Sequence, residues 1–386
     1  MDEVIARNLS VITAHGPHAS QRETSLAWSR RILALVQENC SDDVSVGRLE
    51  FAEGGECRGI LTHPKCIAVP FNHVSVAGSD ISFFFDSALT ESEIPLFLER
   101  NAQAFGEGTT RLLRNLSIAV VGCSGTGSQV IELLTRNGVG RLVLVDPDVL
   151  EEKNLNRISN ARRDDVGSYK VKVLSNAIQR IGLGTRVKAI PCSLFEPHAV
   201  EAVAECDLAF GCMDSVDGRH LLNRLSTFYI MPYIDVGVRL IADGKGGISQ
   251  ICGSVHYLMP GGSSLLSRRA YTIDQLHAAN MYRRDPEAYA ELREEKYISG
   301  VTEDAPAVIS VNMLYASLAV NELLVRLHPS RIISNAESAR TCFSLTSQTF
   351  VTEPEGEPCE ALRRHVGRGD IDPLLDMPEL SRNVSV

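Results

Sequence analysis

The chain has 386 residues, 44% of them hydrophobic and 22% charged, which is enough apolar content for one large core or two moderate ones and too much for a disordered chain. Its formal net charge of -10 is spread without long runs of one sign. This argues against a general nucleic-acid binder, which needs a basic surface to displace counterions, so small molecules or proteins are the expected partners.

The opening MDEVIARNLSVITAHGPH lacks a basic region followed by an unbroken apolar stretch and a small-residue cleavage site, so no secretory signal is read and a cytoplasmic location is expected. Ten cysteines are scattered along the chain, and none forms a Cys-x-x-Cys pair. Free thiols are expected, with no structural zinc of the paired-cysteine kind. Residues 1–88 read as a small α+β unit, with helical spacing over Glu23 to Glu38 and short strands at Ile67 to Pro70 and Ile81 to Phe85. His15 and His18 have no third ligand at a convincing spacing and read as an ordinary loop. Thr90 to Glu93 has the spacing of a capping box, and the apolar positions after it predict a helix running through Arg100 and Phe105.

The most regular stretch starts at Leu116. SIAVVG is a strand, Cys123 to Ser128 a tight glycine turn, and Val130, Ile131, Leu133 and Leu134 have helical spacing. Asn137-Gly138 stops that helix, and Arg141 to Asp146 is a second strand ending in an acid, which completes a βαβ unit. Alternation continues with helices at Lys170 to Ile181, Pro197 to Ala204 and Gly218 to Tyr229, and strands at Val187 to Ile190, Leu208 to Gly211 and Tyr233 to Val238. Strands separated by helices predict an α/β fold with a doubly wound, mostly parallel sheet over residues 89–335. Ile248 to Leu258 reads as a strand, Pro260 to Ala305 as a polar excursion, and Ala305 to Leu327 as a buried helix, because Asn312, Asn321, Glu322 and Arg326 would be costly in lipid. Residues 336–386 form a C-terminal extension, strand-like and then rich in Pro, Glu and Gly.

Gly122, Gly125 and Gly127 stand where a strand turns into a helix, and without side chains the backbone N–H groups there can approach a phosphate. Asp146, at the end of the next strand, suits a ribose. These residues alone leave NAD, FAD and ATP open. The segment Asp146 to Arg157 then adds Asn154, Asn156 and a guanidinium, and Lys170 adds a cation, which suits a triphosphate better than a pyrophosphate already met by the glycine turn. Asp214 follows a strand's carboxyl end and can hold Mg²⁺ against phosphates; the competing reading makes Asp214 or Asp217 the N-cap of the next helix.

The runs VVGCSGTGSQ, VDPDVLEEKNLNR, VGSYK and GCMDSVDGRHLLN, in that order, resemble the ThiF, MoeB and HesA family and the adenylation domain of ubiquitin-activating enzymes, over roughly residues 96–330. The resemblance implies that the glycines and Asp146 hold adenosine, Asn156, Arg157 and Lys170 the phosphates, and Asp214 the Mg²⁺. It also implies that Arg100 reaches an ATP phosphate, in relatives often from the partner subunit of a dimer. The implied reaction is ATP-dependent adenylation of the C-terminal carboxylate of a ubiquitin-like protein, then thioester formation and transfer to a ubiquitin-conjugating carrier enzyme. Two features depart from the family: the paired zinc cysteines are missing, and Pro260-Gly-Gly-Ser-Ser has no cysteine where relatives often carry a reactive one. Cys359, in a polar stretch expected to be flexible and accessible and followed by Arg363, Arg364 and His365, is the remaining candidate nucleophile. The alternatives are a sulfur-carrier, small-molecule or tRNA adenylyltransferase with no thioester step, a Rossmann oxidoreductase, or a binding module without catalysis.

Overall fold

The computed structural model describes residues 46–51, 57–63, 66–70, 73–85, 93–243, 245–294, 306–369 and 371–381. The helix expected over Glu23 to Glu38, His15, His18 and the start of the capping box at Thr90 lie outside them. The chain divides into two units, one of residues 1–76 and 82–93, the other of residues 77–81 and 94–386. In the first, β1 (Val46–Phe51), β2 (Cys57–His63) and β3 (Cys66–Pro70) form an antiparallel sheet in that order. β4 (His73–Ala77) and β5 (Ile81–Phe85) form a two-stranded ribbon.

The second unit is built on an eight-stranded sheet of order β13-β12-β11-β10-β9-β6-β7-β8. β6 (Ser117–Val121), β7 (Arg141–Val145), β8 (Arg186–Ile190), β9 (Leu208–Gly211) and β10 (Tyr233–Ala242) are mutually parallel. β11 (Ile248–Leu258), β12 (Arg340–Ser344) and β13 (Thr349–Glu353) continue the sheet antiparallel. β6, β7 and β9 are buried nearly end to end, which is why they read as unbroken apolar runs: helices cover both sides of a parallel sheet. Strand order runs from β6 outward to β7 and β8 on one side and to β9 and β10 on the other. The reversal between β6 and β9 opens a crevice at their carboxyl ends, where doubly wound sheets bind ligands.

α1 (Glu99–Asn115) leads into β6, and α2 (Gly125–Arg136), α3 (Lys170–Ile181), α4 (Pro197–Ala204) and α5 (Val216–Phe228) make the crossovers. α4 and α5 pack with Val121, Val145, Ala209 and Tyr233 into one apolar cluster, to which Leu374, Leu375 and Leu380 of the C-terminal segment contribute. The polar excursion after Pro260 contains α6 (Ile273–Arg284) and α7 (Pro286–Glu294), which composition concealed. α6 buries little beyond Ala278 and Ala279 and is held by polar means, a Thr272–Gln275 capping box and the Arg283–Asp217 ion pair at 2.8 Å. Such a helix shows weak apolar periodicity. The sequence segment 336–386 folds into this same unit, supplying β12, β13, the short α9 (Glu360–Arg363) and the three buried leucines.

The long α8 (Ile309–Leu327) lies against α2, β10 and β11. Gly253 on β11 must be glycine here, since a Cβ would stand 2.6 Å from the Tyr315 ring. Among the described residues no helix is long and apolar enough to cross a membrane. Two of the polar residues that interrupt α8, Glu322 and Arg326, are buried against one another instead. Arg326, 1% exposed, donates to Glu322 at 2.7 Å, Ser338 O at 2.9 Å and Ser79 O, and its guanidinium lies 3.6 Å from the centre of the Tyr257 ring. One side chain thereby joins the helix, the 77–81 turn, β11 and the turn before β12. Removing one member of a buried, hydrogen-bonded ion pair leaves the other uncompensated, so Glu322→Ala is expected to destabilise this unit by about 3–5 kcal/mol. Denaturant unfolding measures this, and a loss under about 1 kcal/mol, as for an exposed pair, would contradict the buried hub.

Candidate functional site

The crevice is formed first by glycine. Gly122 has φ +88°, and a Cβ on it would stand 2.6 Å from Cys212 O; one on Gly127 would stand 1.8 Å from Gly122 O. The start of α2 can therefore close directly onto the ends of β6 and β9, leaving the first N–H groups of a 12-residue helix facing the crevice. Asp146, at the end of β7 and 6% exposed, accepts from Cys123 N at 2.6 Å and from Asp148 N at 2.9 Å. It thus ties the glycine turn to the neighbouring strand while each oxygen keeps a lone pair for a ligand hydroxyl. Burial pushes the Asp146 carboxyl above the ordinary carboxylate range, and Lys170 and the two N–H donors pull it back.

Lys170 opens α3 and is 6% exposed, with Nζ 2.6 Å from Asp148 Oδ2. Asp148 is the residue the sequence reading missed; its only signal was a second acid two positions after Asp146. Arg157 sits on a loop fastened to α2: Gln129 Nε2 donates to Arg157 O at 3.4 Å, and Ser159 Oγ donates to Gln129 Oε1 at 2.7 Å. Its own Nη1 donates to Lys153 O at 2.8 Å, and among the described residues it pairs with no carboxylate.

Asp214 follows β9, exposed, with no hydrogen bond from any described residue. It does not act as the alternative N-cap: that position belongs to Ser215, and Asp217 pairs with Arg283. Crowding by the surrounding protein pushes the Asp214 carboxyl up, against the pull of Arg219, Arg157 and Lys170; because the group faces solvent, that shift carries little energy. Arg219 is itself neutralised by the fully buried Asp235, which it grips through Nε at 2.9 Å and through Nη2, while Tyr233 OH donates to the same carboxylate at 2.6 Å. Asp235 is held below the ordinary carboxylate range despite burial, by Arg219 above all.

The structure therefore brings Gly122, Gly125, Gly127, Asp146, Arg157, Lys170 and Asp214 together around one crevice. Asn154 is 3% exposed, and its Oδ1 accepts from Glu151 N at 3.0 Å, so that oxygen shapes the loop that carries Arg157. Asn156 is exposed beside Arg157. Arg100 lies elsewhere. It is exposed on α1, bonded to Gln103 Oε1 at 2.9 Å, and lines a groove of about 290 Å³ with Leu133 and Asn137 at the far end of α2. The 12 residues of α2, at about 1.5 Å each, put roughly 18 Å between that groove and the glycine turn.

The expectation for Cys359 is corrected. It is 4% exposed, with its N–H donated to Gly262 O at 3.0 Å. The polar stretch before it is pinned by Glu355, which takes hydrogen bonds from Ser263 and Arg268. A run of Glu and Pro reads as flexible only when those partners are unknown. His365 is buried against Phe228, their ring centres 4.9 Å apart, and burial pushes its pKa down, so it does not supply the cation expected beside the thiol. Among the described residues no group of three or more His, Cys, Asp or Glu could hold a metal by itself. The unpartnered Asp214 fits Mg²⁺ in its usual manner with nucleotides, as one carboxylate with phosphates and water completing the shell.

A doubly wound sheet with a glycine turn, a ribose-side acid and facing cations at its switch point defines a nucleotide-binding α/β protein. The ThiF family model matches residues 98–355, and the chain belongs to that family. It is 31% identical over 156 residues to the SAMP-activating enzyme E1 of Haloferax volcanii, covering 40% of this chain and 54% of that one. It is 34% identical over 128 residues to the sulfur carrier protein adenylyltransferase of Thermus thermophilus, covering 33% and 47%. The chain thus spans about half the length of these two curated relatives. In fold it is similar to E. coli MccB in its crystal structure with MccA-N7isoASN, with TM-score 0.54, 18% identity, and coverage of 70% of this chain and 75% of that one.

Burial ranks the thiols. Among the described cysteines, Cys192, Cys252 and Cys342 are partly exposed, as is Cys212, whereas Cys123, Cys206 and Cys359 are buried. Iodoacetamide labelling of the native protein followed by peptide mass spectrometry should modify the first three well before Cys359. Labelling of Cys359 as fast in buffer as in urea would show that its segment does not hold it closed.

Proposed function

We propose that the chain adenylates the C-terminal carboxylate of a small protein of the ubiquitin-like or sulfur-carrier kind, using ATP and Mg²⁺. The observation that carries this is Asp214, an unpaired carboxylate facing Arg157 and Lys170 beside a glycine turn backed by Asp146. An oxidoreductase has no use for an unpaired acid and two cations beyond its pyrophosphate turn. The names of the two curated relatives support the same class of substrate.

In this reading the ribose hydroxyls bond to Asp146 and the phosphates lie over the N-terminus of α2, drawn by its N–H groups. Arg157 and Lys170 neutralise charge as the acceptor's carboxylate oxygen attacks the α-phosphorus. The bond to the bridging oxygen breaks, pyrophosphate leaves, and an acyl adenylate remains. Mg²⁺ held by Asp214 supplies charge neutralisation on the phosphates. Such a step needs positioning and electrostatics more than a proton carrier. Lys170 can turn from Asp148 to a phosphate cheaply, because Asp148 is largely solvated, with 63% of its side chain exposed. The burial of Cys359, and the absence of any cysteine between Cys252 and Cys342, favour a reaction that ends at the adenylate. Onward transfer through Cys359 to a carrier enzyme would require residues 354–360 to lift away first.

Asp214→Ala and Arg157→Ala should each lower Mg²⁺-dependent ATP–pyrophosphate exchange by about a hundredfold or more with the fold intact by circular dichroism. Undiminished exchange in both would remove the phosphate site from this crevice.

Arg100, too far from the crevice of its own chain, would act in a homodimer on the partner's ATP. Mixing inactive Arg100→Ala and Asp214→Ala chains should then restore part of the exchange, up to about a quarter of wild type if subunits combine at random. No recovery, or a fully active monomer in sedimentation, would exclude that arrangement.

A further inference from the structure

α8 reads from the sequence as a core helix, yet its first turn reaches the crevice. Asn312 lies 5% exposed on the side of α8 that meets α2. A Cβ built on Gly125 would stand 2.2 Å from Asn312 Nδ2 and 3.4 Å from Arg157 Cδ. The amide therefore rests directly on the first residue of α2, in the space a side chain at 125 would fill, and Arg157 approaches the same residue.

The side chain of Asn312 makes no hydrogen bond with any described residue, while its backbone N–H donates to Val308 O at 3.0 Å. The residue is buried, yet its amide atoms are not sealed from solvent, so the group is left open to a ligand in the crevice rather than spent on a protein partner. Its neighbours on α8 are matched: Tyr315 OH donates to Phe343 O at 2.6 Å, and Asn321 Nδ2 to Ser317 O at 2.8 Å. The exception is the one that touches the glycine turn.

Resting on the ATP reading above, we propose that Asn312 binds the nucleotide, donating from its amide to a phosphate oxygen held over the N-terminus of α2. Neither a helix N-terminus nor a buried amide would suffice alone; here both meet at Gly125, with Arg157 alongside. The charge of the site comes from Arg157 and Lys170. A neutral amide adds direction, a donor fixed by the packing of α8 against α2, and so restricts where the phosphate chain can lie. It also accounts for glycine at position 125, since any side chain there would displace the amide.

The test is calorimetric titration of the full chain with Mg·AMPCPP, in parallel with adenosine, for wild type, Asn312→Ala and Asn312→Asp. Loss of one hydrogen bond to a charged group should weaken AMPCPP by about tenfold in Asn312→Ala. The near-isosteric Asn312→Asp should weaken it further by setting a carboxylate against the phosphates, while adenosine binding stays within about twofold in both. A packing role alone would leave AMPCPP affinity in Asn312→Asp at the wild-type value, or would lower AMPCPP and adenosine together, and either result overturns the proposal. Wild type that binds adenosine and AMPCPP equally well would overturn it too, by showing no phosphate site. Wild type that binds neither would sink the ATP reading itself.

Discussion

Everything at the crevice depends on the approach of Gly127 to Gly122. With a Cβ on Gly127 only 1.8 Å from the Gly122 carbonyl oxygen, the two backbones are as close as they can be. Gly122 in turn lies against Cys212 O, on the strand that carries Asp214. The glycine turn, the start of α2 and the Asp214 loop are therefore one packed body, and no lever arm separates the first N–H groups of α2 from the carboxylate opposite. A methyl group at either position would push α2 outward, and with it the loop that α2 fastens through Gln129 and Ser159. The position of Arg157 is thus inherited from two absent side chains.

Around that body the charges are sorted by whether they are already spent. Arg219 is the cation that pulls most on Asp214, but Asp235 and Tyr233 hold it, and the tyrosine ring also fills the space above Gly211. Among the described residues Arg157 pairs with no carboxylate, and Lys170 pairs with the solvated Asp148 alone. Positive charge is thereby left available at the mouth of the crevice while the buried pair sets its floor. Replacing either member of that pair would leave an uncompensated charge in the interior beside the crevice.

The parallel half of the fold was legible because β6, β7 and β9 are buried nearly end to end and its helices obey one period. Lys170 to Ile181, Pro197 to Ala204, Leu208 to Gly211 and Ile248 to Leu258 read from the sequence with the bounds the structure has. α6 and α7 were not legible: α6 is held by a capping box and an ion pair, and the buried side chain described on α7 is Tyr289, so neither shows an apolar stripe. The motif residues were legible because glycine and Asp at strand ends, and a buried Lys at the first position of a helix, have few structural reasons to be there. Asn312 was invisible because its neighbour, Gly125, is 187 positions away in sequence. An amide inside an apolar helix looks like a tolerated interruption until packing shows what it touches.

The segment around Cys359 failed as a reading for a further physical reason. Local composition reports what a stretch would do if nothing else touched it, and Glu353 to Pro358 would be loose on its own. Here Glu355 accepts from Ser263 N and Oγ and from Arg268, Cys359 N donates to Gly262 O, and Leu374, Leu375 and Leu380 beyond it are buried in the core shared with α4 and α5. Burying a leucine contributes roughly 1.5–3 kcal/mol, so these three anchor the far end of the segment far more firmly than its hydrogen bonds do. Any opening that exposes Cys359 is therefore local, a lifting of residues 354–360 between two fixed points rather than release of a tail. Its cost is set by the hydrogen bonds that Glu355 accepts from Ser263 and Arg268 and that Cys359 N donates to Gly262 O, partners that all lie in the segment following β11. In this chain that segment carries serine, and it serves to hold a cysteine shut.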